Sequence, residues 1–247
     1  MQKTLPIVLF LFVLALFTAC EKESLPASEF SKQKEYYPLV PGKYIDFQYD
    51  SIVYDENGTA KYAYSGFIRE KIDTLLKDSE SEKQYRLIKY WRKDSTDLWL
   101  ITDVETITVT DNQLIRTEEN LPFIRLVFPP EKNKRWNGNA LFDENIIVKF
   151  AGESIRMFQG WEYKITDKDY TASIGQADLD SLVRVEEVND AESIFSLRYS
   201  SQVYAKGIGP VKREMKIYDT QRPQPGKAWE EYAEKGFSLV QTMISHN

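Results

Sequence analysis

Tyr44-Ile45-Asp46-Phe47-Gln48-Tyr49-Asp50-Ser51-Ile52-Val53-Tyr54 decides the fold class. Ile45, Phe47, Tyr49 and Val53 alternate with Asp46, Gln48 and Asp50. A period of two with one polar side predicts a strand buried on one face. Asp55-Glu56-Asn57-Gly58 follows, and Asn-Gly is the strongest short hairpin signal. The return strand is predicted over 61–76, with Tyr62, Tyr64 and Ile68 on its apolar side. Gly66 within it predicts a bulge or bend.

Working outward, further strands are predicted over 84–92, 98–110, 114–117, 123–128, 146–150, 155–166, 182–188, 194–204, 211–218 and 237–244. Between them lie charged or Gly/Pro/Asn turns and a long basic loop, 129–139, that carries Trp136. Residues 227–235 read as one short helix. Short strands bounded by turn signals, with no long 3.6-residue period, predict an all-β protein. The expected architecture is a large antiparallel curved sheet or open barrel of about ten strands, with at most one or two short helices. A sandwich remains an alternative. Aromatic residues, with 15 Tyr and 5 Trp, are mostly expected in the core and in cross-strand pairs.

The N-terminus reads differently. Lys3 precedes an apolar run, 5–17, that closes on Thr18-Ala19-Cys20. A membrane span needs about 20 apolar residues, and Glu21-Lys22-Glu23 stops this run too early. A positive start, an apolar core and small residues before a cut describe a secretory signal. Its end resembles the bacterial lipobox, whose cysteine becomes the acylated first residue of the mature chain. The expected organisation is a lipoprotein signal peptide over 1–19, a lipidated Cys20 with a flexible polar tether over 20–35, and a single β domain over 36–247. The membrane is then reached through the lipid on Cys20, on the periplasmic face or the surface of the outer membrane.

Composition excludes several functions. The chain has 32 basic and 38 acidic residues, and loss of Lys3 with the signal leaves 31 − 38 = −7. An acidic chain without a basic stripe is no nucleic-acid binder. Cys20 and His246 are the only cysteine and histidine. With Cys20 acylated, no disulfide, thiol nucleophile or zinc site is expected. His246 sits at a terminus expected to fray, with no packed partner to make it a base. No catalytic residue, metal or cofactor is therefore predicted.

A resemblance adds to this. The opening 36–44, Tyr-Tyr-Pro-Leu-Val-Pro-Gly-Lys-Tyr, with 49–55, Tyr204-Ala205-Lys206-Gly207-Ile208-Gly209 and Lys235-Gly236-Phe237, resembles Bacteroidota cell-envelope lipoproteins that have no assigned activity. It implies an envelope β protein with the open, curved sheet of periplasmic lipid and lipoprotein carriers. Asp50-Ser51-Ile52, Asp73-Thr74-Leu75, Asp94-Ser95-Thr96 and Asp180-Ser181-Leu182 resemble the Bacteroidota O-glycosylation signal. Ser51, Thr74, Ser95 and Ser181 are the candidate acceptors, Ser95 the most reachable.

Carboxylates two apart share a strand face: Asp103/Glu105, Asp167/Asp169 and Asp178/Asp180. The last two pairs lie in polar, turn-like sequence, where solvated turns are the ordinary reading. Gly207-Ile208-Gly209-Pro210 reads as a tight turn, since no Gly-Lys-Ser/Thr follows to bind phosphate. Trp136 is a candidate exposed binding aromatic, with burial of its loop as the alternative. The expected function is a non-enzymatic, lipid-anchored envelope protein that binds an apolar ligand, a glycan or a protein partner. The alternatives are a structural subunit of an outer-membrane assembly and a glycan hydrolase using two carboxylates.

Overall fold

The computed structural model describes residues 34–55, 60–150 and 153–247. Cys20, most of the predicted tether and the Asn57-Gly58 turn lie outside the described residues. The strands are β1 (Tyr44–Asp55), β2 (Ala60–Asp78), β3 (Glu82–Arg92), β4 (Leu100–Thr110), β5 (Gln113–Glu118), β6 (Leu121–Val127), β7 (Arg135–Trp136), β8 (Val148–Phe150), β9 (Glu153–Ile155), β10 (Tyr163–Ile174), β11 (Ala177–Asp190), β12 (Ser196–Ala205), β13 (Gly209–Asp219) and β14 (Lys235–His246). One short helix, α1 (Trp229–Tyr232), precedes β14.

Twelve strands form one antiparallel sheet in the order β6-β5-β4-β3-β2-β1-β14-β13-β12-β11-β10-β7, and β8 pairs with β9 separately. Nearly every neighbour in the sheet is also a neighbour in sequence, as hairpins dictate. The exceptions are β1 against β14, which joins the two halves of the chain, and β10 against the short β7 at the edge. The sheet curls until its edges almost meet. At the seam the Ile124 amide donates to the Gly138 carbonyl at 2.8 Å. The Trp136 indole N–H donates back to the Ile124 carbonyl at 2.8 Å. The long basic loop is thus a short strand that stitches β6 to β10 and covers otherwise unpaired edge groups. Gly138 is fixed here by contact, since a Cβ would fall 2.3 Å from the Tyr163 ring.

The alternation over β1 holds. Phe47 pairs with Ile68 and Tyr49 with Gly66, while Asp46 pairs with Arg69 and Gln48 with Phe67. Directly opposed residues share a face, so the apolar set lies on one side. Asp46 departs from the expected polar, solvated face: it is buried under Arg69, which donates to both its oxygens at 2.7 and 2.8 Å. Gly66 carries no bulge, because β1–β2 pairing runs through it without a shift. Its role is close approach, since a Cβ would stand 2.8 Å from the Arg92 carbonyl and 3.1 Å from the Trp91 indole nitrogen.

Two other expectations are corrected. Residues 167–181 form the β10–β11 hairpin, so Asp167, Asp169, Asp178 and Asp180 are strand residues rather than turn residues. The C-terminus does not fray: His246 pairs with Ile45, and the Asn247 side chain accepts the Tyr44 amide at 2.7 Å.

The main core cluster joins both halves of the sheet with the segment after β9, including Leu87, Ile107, Leu126, Phe158, Trp161, Tyr163, Val185 and Ile217. A second gathers Ile45, Phe47, Val211 and Met243 with Ile174 and Leu182 of the β10–β11 hairpin. A third seats α1 on Tyr54 and Tyr218.

Candidate ligand cleft

The inner face of the barrel is not uniformly apolar. The parity that buries Ile68 and Ile72 on β2 also buries Glu70 between them. By the same period of two, Leu87 is followed by Lys89, Ile107 is preceded by Glu105, and Leu114 is followed by Arg116 and Glu118. Arg125 and Glu187 enter by another route. Ile124 and Leu126 face consecutive residues of β5, and Glu186 and Val188 face consecutive residues of β12. Each skipped residue is a bulge, which re-aims a side chain. Arg125 is 2% exposed and Glu187 0%.

These residues form a connected ionic belt. Arg116 donates through both terminal nitrogens to Glu70, at 2.7 and 2.9 Å, and through Nε to Glu105 at 2.5 Å. Lys89 Nζ lies 3.2 Å from Glu105. Arg125 donates to Glu118 at 2.8 Å and to Glu187 at 2.6 Å. Arg213 donates to Glu118 at 3.1 Å, and Ser200 Oγ donates to Glu187 at 2.5 Å. Lys89, Arg116, Arg125 and Arg213 thereby balance Glu70, Glu105, Glu118 and Glu187. Such balance is what permits charge in an interior, where an unpaired ion is expensive.

Burial pushes the Glu118 carboxyl up, but Arg125, Arg213 and Arg116 pull harder and hold it well below the usual carboxylate range. Glu70 behaves alike: burial raises it, and the charge and hydrogen bonds of Arg116 bring it below its ordinary value. Burial disfavours the Lys89 ammonium, yet Glu105 more than compensates and its pKa is raised. The belt is therefore ionised throughout the neutral range at Glu70, Glu118 and Lys89.

Beside the belt the interior leaves a cleft of about 270 Å³. Its polar wall includes Glu70, Lys89, Glu105, Glu118, Arg125 and Arg213. Its apolar lining includes Phe123, Phe150, Met157, Phe158, Phe237 and Leu239, with the Arg125 guanidinium lying over the Phe123 ring. Val148 and Phe150 of β8 also line it, and the Phe150 ring packs on Phe237 with centroids 4.6 Å apart. A space lined by both charged and aromatic side chains is suited to a molecule having a polar head and an apolar body.

Among the residues singled out from sequence, Tyr49, Ser51 and Glu105 line this site. Trp136 is not an exposed platform: it is half-buried, its ring lies against Tyr163, and its N–H is used at the seam. Burial of the loop wins because the open sheet edge needs a partner more than the indole needs solvent. Ser51 is buried and its hydroxyl donates to the Ser238 carbonyl at 2.8 Å, so it offers no acceptor for a sugar. Thr74 and Ser181 are half-buried in strands, whereas Ser95 is exposed in the β3–β4 turn. Asp103 is half-buried, so the Asp103/Glu105 pair is divided between rim and interior. Asp167 lies near Lys132 and Arg184, Asp169 accepts the Tyr36 hydroxyl at 2.8 Å, and Asp178 accepts Ser173 at 2.6 Å. No cluster able to hold a metal occurs among the described residues.

Comparison with known proteins adds little chemistry. No protein-family model matches the sequence, and no curated protein matches it. Two crystal structures are similar in shape. One is a protein of Bacteroides fragilis provisionally described as exported and as having a YmcC-like fold. It has 10% identity and a TM-score of 0.41, with 85% of this chain and 98% of that one covered. The other is a protein of Parabacteroides distasonis provisionally described as a lipoprotein. It has 12% identity and a TM-score of 0.38, with 86% and 98% covered.

Proposed function

We propose that this chain is a lipid-anchored cell-envelope protein that holds a small amphipathic molecule in its cleft and does no chemistry on it. The observation that carries the reading is the cleft itself, open volume lined by both ionised and aromatic side chains. The signal-like run and Cys20 support the anchor. The belt argues against a glycosidase. A general acid must keep its proton near neutrality, so its pKa must be raised. Glu70 and Glu118 are shifted the opposite way by their arginines.

The test is titration of the mature chain with 1-N-phenylnaphthylamine, a neutral apolar fluorophore. A saturable rise in emission at a single site supports the reading. Emission that rises without saturation removes it. The subunit alternative would then stand, resting on Leu98, Leu100, Ile101 and Val104, which are exposed on and beside β4.

A further inference from the structure

We infer that the cleft selects an anionic head, a carboxylate on a single apolar chain, and that Lys89 is the residue that receives it. This rests on the reading of the cleft as a ligand site and names the ligand's class.

Two of the three guanidiniums are already committed. Arg116 spends its fork on Glu70 and its Nε on Glu105. Arg125 is shared between Glu118, Glu187 and the Tyr163 hydroxyl. Arg213 donates to Glu118, with Glu187 3.9 Å away; its Nε is buried without a partner, and its side chain is 14% exposed against 26% for Lys89. Each carboxylate is likewise engaged by at least one guanidinium.

Lys89 differs. An ammonium has three donors, and its one ion-pair partner within the belt is Glu105. Of that pair, Lys89 is the accessible member: its side chain is 26% exposed, against 1% for Glu105. The Glu105 oxygen that pairs with Lys89 is itself sealed from solvent. A head group entering the polar wall therefore meets N–H donors on a flexible stem before it meets a carboxylate. The charge on Lys89 is secure at neutral pH, since Glu105 holds it protonated.

Four carboxylates line the cleft and oppose an anion: Glu70, held by the fork of Arg116, Glu118, held by Arg125 and Arg213, and Glu105 and Glu119. Glu105 already shares the ammonium, and Glu119 lies exposed at the lip of the cleft. Glu105 is neutralised from its other side by Arg116, and Glu119 is screened by water. The neutral Tyr49 and Gln241 side chains, also on the wall, can complete the solvation of a carboxylate. The rest of the molecule then lies along Phe150, Phe158, Phe237 and Leu239, a lining that suits one chain rather than two at about 270 Å³.

The experiment is displacement of 1-N-phenylnaphthylamine by decanoate, decanol and decylamine, on the wild type, Lys89→Met and Lys89→Arg. Decanoate should compete at least about tenfold better than decanol, as a charge-assisted hydrogen bond provides, and decylamine should be weakest. Lys89→Met should abolish the gap between decanoate and decanol, each measured against that variant's own affinity for the fluorophore. Lys89→Arg, which keeps the charge beside Glu105, should restore the gap. Decanol equal to decanoate in the wild type, or a preference unchanged in Lys89→Met, overturns the assignment of the head. A wild type that never binds the fluorophore fails earlier, at the ligand site itself.

Discussion

Replacing Arg125 by methionine tests whether the ionic belt holds the barrel together. The substitution keeps an unbranched side chain of similar reach and removes only the guanidinium. Arg125 bridges β5 to β11 across the interior, through Glu118 at 2.8 Å and Glu187 at 2.6 Å. Glu118 retains Arg213 at 3.1 Å and Arg116 at 3.6 Å. Glu187, wholly buried, retains Ser200 and a distant Arg213 at 3.9 Å. Removing one member of a buried pair strands the other, which costs about 3–5 kcal/mol. For a domain of this size that is roughly 6–20 °C in melting temperature. Urea unfolding followed by tryptophan emission measures it. The double variant Arg125→Met/Glu187→Gln should be more stable than Arg125→Met alone, because the stranded charge has gone. A cost below about 1 kcal/mol for Arg125→Met, or simple addition of the two single costs, would refute the belt as a structural element.

Three further outcomes are expected. Glu70 and Glu118 have folded pKa values below the unfolded value of about 4.3, so their contribution is complete above that pH and lost as pH falls through the folded values; the urea midpoint should be nearly flat above about pH 5 and should fall at pH 3, and equal midpoints at pH 3 and 7 would contradict this. Trp136→Phe should cost about 1–2 kcal/mol through the lost bond to the Ile124 carbonyl, and hydrogen exchange should show faster opening of the Ile124 amide than of amides in β13. Cys20→Ala should move the protein from the membrane fraction to the soluble one, and retention in the membrane would remove the anchor.

Much of the fold is legible in the sequence because the barrel is made of local hairpins. The alternation of Ile45, Phe47, Tyr49 and Val53 and the turn at Gly207 each fix pairing within a few residues. The seam is not legible, since nothing near Trp136 indicates that Ile124 lies opposite it. The cleft was half legible. Glu70 shares the parity of Ile68 and Ile72, and Arg116 that of Leu114, so a charge in apolar phase was present as a signal. Composition hid it, because charged residues in strands ordinarily mark the solvated face. Arg125 and Glu187 were beyond reach, because the bulges that turn them inward depend on partners in other strands.

The central claim is that the cleft is open volume meant for a ligand, and filling it is the most direct test. Leu239→Trp places an indole against Phe237 and Phe150 on the apolar wall. Wild type and variant are compared for 1-N-phenylnaphthylamine binding and for melting temperature in the same buffer. The account predicts that the variant loses the saturable site while melting within a few degrees of the wild type, since the added ring occupies space already present. Binding that is equal in both proteins would place the fluorophore elsewhere. A steep fall in melting temperature, the mark of overpacking by about 1–3 kcal/mol, would show that the wall has no room and would contradict the claim.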